Sequence, residues 1–194
     1  MKKVITIALL CAAPVSMLMA EQDEMKQRAA ESKAVVKEFM GELKGELGKA
    51  IKAGGPIKAI EVCNKVAPSI AKAQSEKHGW EVGRTSLKLR NPNNAPDEWE
   101  TMVLKQFEER AAAGENPADM AHFEVVEQNG AKAFRFMKAI GMPPLDKAPC
   151  LKCHGENIDA NLASKLDELY PNDQARGYKP GMIRGAFTIT QPMN

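Results

Sequence analysis

Over residues 25–53 the apolar positions Val36, Phe39, Met40, Leu43, Leu47, Ala50 and Ile51 return every three or four residues, which predicts one long amphipathic helix ended by Gly54 and Gly55. Pro56 suits the first turn of a second helix, whose stripe is Ile57, Ile60, Cys63, Ala67, Ile70 and Ala71. That stripe puts Cys63 on the buried face, and Pro68, lacking an N–H, should bend the helix or end its first half. Over residues 80–90 the period becomes two. Thr85, Leu87 and Leu89 alternate with Arg84, Ser86, Lys88 and Arg90, the pattern of a strand. The turn-rich residues 91–96 follow, and Asp97 with Glu100 forms a capping box before a helix carrying Trp99, Met102, Val103 and Phe107 and closed by Gly114. Asn129-Gly130 marks a hairpin between residues 123–127 and 131–140. A short helix over 159–170 stops at Pro171, and 183–190 reads as a final strand. Helices first and antiparallel strands afterwards describe an α+β domain.

Lys2 and Lys3, an apolar run over residues 4–15, and Leu18-Met19-Ala20 before the charged Glu21 predict a secretory signal over 1–20 and a mature domain over 21–194. The run is too short to span a bilayer, so the expectation is a soluble periplasmic product with no stable membrane span after signal removal; the alternative is a retained anchor. Cys11 follows Leu10 instead of a small residue, which argues against a lipoprotein cleavage site, and Cys11 leaves with the signal. Removing the signal takes two of the 27 basic residues and none of the 25 acidic ones. The mature chain is then formally neutral, with no excess of Lys and Arg for nucleic acid or a polybasic membrane role. A chain of 194 residues is one domain by size.

Cys150-Leu151-Lys152-Cys153-His154 is the attachment pattern for one covalent haem c. Two thiols two residues apart can each add to a haem vinyl group, while His154 reaches the iron from one side. A thioredoxin-type pair would need a strand before the first cysteine, and Pro143, Pro144 and Pro149 lead in irregularly instead. Zinc would need further Cys or His ligands. A plain Cys150–Cys153 disulfide leaves His154 without a role. Four-helix cytochromes are all-helical, and small helical cytochromes carry the motif near their start; neither agrees with a hairpin and a motif this late. Cys63 is the odd cysteine of the mature chain. It is either a small buried hydrophobe or an axial thiolate opposite His154, with Met182 as the rival ligand. His78 and His122 read as surface or satisfied histidines. Arg84, Lys88 and Arg90 on one strand face, with Arg184 before the last strand, either pair the haem propionates or form a solvated face. Phe134 and Phe136 either wall the haem or pack the core.

Longer runs are more specific. Glu61-Val62-Cys63-Asn64 with Ala67-Pro68, residues 83–92, and Asn94-Ala95-Pro96-Asp97 resemble a family of exported single-haem c-type cytochrome domains with a PAS-like fold. So do Cys150-Leu151-Lys152-Cys153-His154-Gly155, the run Tyr170-Pro171-Asn172-Asp173-Gln174-Ala175, Gly177-Tyr178 and Arg184-Gly185-Ala186. The resemblance implies a PAS-like antiparallel sheet with long N-terminal helices packed on it, and a cysteine on the iron opposite the motif histidine. Cys63 is the position that matches. Members of the family occur free-standing and as sensing parts of membrane signalling proteins.

Two protein ligands would leave the iron no open position, which favours electron transfer or redox sensing with a separate redox partner protein over catalysis. No acid, base or electrophile constellation marks an enzyme. The alternative is a gas sensor, in which nitric oxide or carbon monoxide displaces the weaker ligand and a separate partner carries the signal. A peroxidase-like enzyme ranks third.

Overall fold

The computed structural model describes residues 15–128 and 130–193; the apolar run of the expected signal, including Cys11, lies almost wholly outside them. Helix α1 (Val15–Glu61) is interrupted where the two glycines predict it, at Gly54 (φ −166°, ψ 23°) and Gly55 (φ 69°, ψ −167°), and resumes at Pro56. Pro68 neither ends nor kinks the helix that follows. A π turn (Val62–Val66) lies immediately before it, in which the Ala67 N–H reaches back to the Val62 carbonyl, and α2 (Ala67–His78) then starts with the proline in its first turn. The π turn thus takes up the missing N–H of Pro68 within a chain that stays helical, and Cys63 lies in that turn. Cys63 is consequently half-buried instead of fully buried.

Four strands form one antiparallel sheet in the order β1-β4-β3-β2: β1 (Glu81–Thr85), β2 (Ala121–Gln128), β3 (Ala131–Gly141) and β4 (Ile183–Pro192). The hairpin closes at Gln128↔Ala131, with Gly130 at φ 78°; Asn129 lies outside the described residues. Phe134, Phe136, Phe187 and Ile189 face α1 and pack with Val36, Phe39 and Val62. Met137, Ala139 and Ala186 face α3 (Glu98–Ala112), meeting Val103, Leu104 and Phe107. The sheet is therefore sandwiched between the N-terminal helices and α3, the α+β arrangement expected. The capping box of α3 forms as expected, with Asp97 accepting from the Glu100 N–H and Glu100 accepting from the Asp97 N–H. Among the described residues no helix is long and apolar enough to cross a membrane.

The strand expected over 80–90 is half that length. Its last pair is Thr85↔Ala186, and the Ser86 side chain then takes over, donating to the Arg184 carbonyl (2.7 Å) and accepting the Lys88 N–H (3.2 Å). A side chain bonding locally to backbone competes with the ladder and turns the chain out of the sheet. Alternation alone misplaces two arginines. Arg90 turns inward instead of projecting from a strand face, and Arg184 lies within β4 instead of preceding it.

Candidate functional site

The Cys150–His154 motif is one helical turn, α4 (Cys150–His154), reached through the irregular segment 142–149. Gly155 ends it: the Gly155 N–H closes on the Leu151 carbonyl at 2.9 Å, and a Cβ at Gly155 would lie 2.5 Å from that same oxygen. Segment 173–178 then runs beside the motif, with the Gly177 N–H on the Gly155 carbonyl (3.0 Å) and the Tyr178 N–H on the His154 carbonyl (2.9 Å). Helix α5 (Ala160–Leu169), capped by Asp159, presses Leu162 and Leu166 against Ile60 and Cys153, tying the motif to the helix that carries Cys63.

His154 Nδ1 lies 2.8 Å from the Ala175 carbonyl. A carbonyl only accepts, so Nδ1 carries the proton, and the lone pair is left on Nε2, which has no hydrogen-bond partner among the described residues. Burial, with Arg184 and Arg90 nearby, holds the imidazole well below its ordinary pKa, and His154 is a neutral base at physiological pH. The Ala175 carbonyl is itself fixed. Arg90 donates to both oxygens of Asp173 (3.0 Å each), to the Cys153 carbonyl (2.6 Å) and to the Ala175 carbonyl (3.2 Å), while Asp173 Oδ1 accepts the Ala175 N–H at 2.9 Å. Burial alone would raise the Asp173 carboxyl; hydrogen bonds from Arg90 and Arg176 outweigh it and hold the group below its ordinary value.

Cys63, Cys150 and Cys153 are free, half-buried thiols. Burial pushes the Cys63 thiol up, against the pull of Arg84, Arg90 and Arg184, which gather around it. Burial likewise raises Cys150 and Cys153, whose charge neighbourhoods include Lys44 and Arg90 respectively. Arg84 and Arg184 are depressed by burial. Neither meets a carboxylate among the described residues. Arg184 donates to Ser86 Oγ (2.8 Å) and the Lys88 carbonyl (3.2 Å), and Arg84 only covers the Phe39 ring, 5.6 Å from its centroid. Lys88 reaches the Arg176 carbonyl (2.5 Å) across the Tyr178 ring. Two half-buried guanidinium groups without an acid, beside three thiols and a neutral imidazole, form a cluster that favours anions.

The structure thus brings Cys63, Cys150, Cys153, His154, Arg84, Arg90 and Arg184 together. It keeps the other candidates apart. Met182 is exposed in the turn before β4, its Sδ accepting the Lys179 N–H at 3.2 Å. His78 ends α2 and stacks on Trp80, and His122 on the outer strand β2 packs against Trp99. Phe134 and Phe136 are fully buried against α1, in a cluster that contains no motif residue, so they are core. Among the described residues no three His, Cys, Asp or Glu side chains converge to hold a bare metal ion, which leaves the zinc alternative without ligands. Sequence reasoning missed the roles of Asp173, Ala175 and Tyr170, the last near enough to bond Asn64 beside Cys63. Their only signal was membership of the run 170–175.

Comparison with curated proteins gives no match. Among solved structures, the crystal structure of the cyanobacterial heme-protein Tll0287 matches with a TM-score of 0.64 at 22% identity, over 87% of this chain and 96% of that one. At this identity the likeness shows the shared fold. The Tll0287-like family model matches residues 16–192, nearly the full length, and the chain belongs to that family.

Proposed function

We propose that the chain is an exported, single-haem c-type cytochrome that serves electron transfer or redox sensing and is not an enzyme. Residues 1–20 are the export signal and 21–194 the haem domain, working in the periplasm with a separate redox partner. Cys150 and Cys153 would hold the haem covalently, and His154 Nε2 and Cys63 would ligate its iron. The observation that carries this reading is the His154 Nδ1 bond to the Ala175 carbonyl, which fixes the tautomer and aims a neutral Nε2 away from its own backbone. The relative described as a heme-protein shares the fold, which agrees with it.

The haem supplies one-electron chemistry when bound; the chain does the rest. Arg84 and Arg184, half-buried without acids, would pair the propionates, and Arg90 acts as a positioning residue through Asp173 and Ala175. Two protein ligands on the iron would leave no open position for substrate, and a thiolate ligand would keep the potential low. The π turn under Cys63 favours one second reading, a sensor in which nitric oxide or carbon monoxide displaces the thiolate. Ferric and ferrous spectra of the wild type and of Cys63→Ala test the ligand set. The ferric absorption should shift and the reduction potential rise in the variant; unchanged spectra refute thiolate ligation. Carbon monoxide binding by the reduced wild type decides for the sensor, and inertness for the carrier.

A further inference from the structure

Strand β1 is an edge of the sheet, paired only with β4. Along its free side the Val82 N–H donates to Ser75 Oγ at 3.0 Å, whose own proton goes to the Ala71 carbonyl at 2.9 Å. Backbone groups of an antiparallel edge strand point outward at every second residue, so those of Arg84 face the same way as those of Val82. They meet no protein partner among the described residues. They open into a cavity of about 320 Å³ between the first turn of α2 and the turn at residues 91–95, bounded by Pro68, Ala71, Asn91, Asn94, Glu100 and Thr188.

A second cavity of about 320 Å³ adjoins it, sharing Val82, Gly83, Glu100 and Thr188. Arg135 lines this one. The residue is 6% exposed, its Nη atoms are held by Asp97 (2.7 Å) and Glu100 (3.3 Å), and its Nε–H is buried with no acceptor. Gly83 separates the two spaces without filling either, since a Cβ there would touch only Thr188 Cγ2, at 3.6 Å. The Arg84 side chain leaves on the opposite face of the sheet, toward Phe39 and the thiol cluster, so these cavities are not the haem site.

We propose that this edge cavity is a binding site for a small amide-bearing molecule. Its carbonyl accepts the Arg84 N–H and its N–H donates to the Arg84 carbonyl, one antiparallel bridge. Two features select an uncharged amide. A carboxylate would meet Glu100, and a bare cation would offer the Arg84 N–H no acceptor. The size suits a molecule of one or two amide groups.

N-acetylglycinamide, titrated into the purified full chain in a calorimeter, tests the site. The expected result is saturable binding at about 1 mM or tighter in the wild type and in Gly83→Ala, weakened about tenfold or more in Gly83→Leu, whose side chain fills the space. Amide hydrogen exchange on the wild type gives a readout that needs no variant: the Arg84 amide should exchange about tenfold more slowly with saturating probe, while the Val82 amide, already held by Ser75, stays unchanged. No saturable heat, or no slowing at Arg84, overturns the proposal. Equal binding by wild type and folded Gly83→Leu does the same.

Discussion

Replacing Asp173 by Asn perturbs the site at its least replaceable point. The Arg90 and Asp173 side chains are 7% and 1% exposed and meet through two parallel bonds of 3.0 Å. Removing the charge leaves a buried guanidinium facing an amide, which keeps one acceptor oxygen beside the carbonyls of Cys153 and Ala175. Breaking a buried pair by removing one partner costs about 3–5 kcal/mol, whereas an exposed pair such as Lys26–Asp23 is worth about 0–1 kcal/mol. For a chain of this size, at about 2–4 °C per kcal/mol, the melting temperature should fall by about 6–20 °C. The loss should be the same at low and high salt, because solvent ions do not screen a pair this deep.

The sign of the pH dependence follows from the lowered Asp173 carboxyl. Its stabilisation is fully present above the unfolded carboxylate value, about 3.9, and fades as pH falls through the lower folded value. The wild type should therefore lose stability below about pH 4 with a steeper slope than Asp173→Asn. Thermal melts followed by far-ultraviolet circular dichroism, at pH 7 and across pH 2–5 (roughly the carboxylate range), measure both effects. A loss below about 1 kcal/mol, or one that disappears in high salt, refutes the argument that this pair holds the motif in place.

Gly185 has φ 156°, and a Cβ there would overlap the Thr85 carbonyl oxygen; Gly185→Ala should cost about 1–3 kcal/mol in urea unfolding, and wild-type stability would contradict the close approach of β1 and β4. Asp159→Ala removes the cap that accepts from the Asn161 and Leu162 N–H groups, and about 1 kcal/mol should be lost; no change would show that α5 is held by packing alone. Pro68→Ala restores the missing N–H and lets the π turn relax to α geometry, rotating Cys63; the ferric spectrum should then move toward that of Cys63→Ala at unchanged helix content, and a wild-type spectrum would mean the proline does not set the Cys63 position.

Local rules carried the fold far. Two glycines in succession break α1, the Asp97–Glu100 box starts α3, and Gly130 closes the hairpin, because each depends on the conformational needs of a few adjacent residues. The strand over 80–90 failed at Ser86 for the opposite reason: its hydroxyl finds Arg184, distant in sequence, and no period-two count contains that partner. The site divides in the same way. Cys150, Cys153 and His154 announce themselves by spacing, whereas Cys63 has no local signature, and its proximity to the motif depends on α5 bringing Ile60 to Cys153. Asp173 had no signal beyond its place in the run 170–175. A single acid in a loop reads as solvated, and only the fold shows it buried beneath Arg90.

The account rests on a covalent haem at Cys150 and Cys153, and the intact mass of the mature protein, made in a host that matures c-type cytochromes, tests that most directly. The predicted mass is that of the chain beginning at Glu21 plus one haem, retained through acid-acetone extraction and lost when both cysteines are changed to Ser. A mass equal to the polypeptide alone would contradict it.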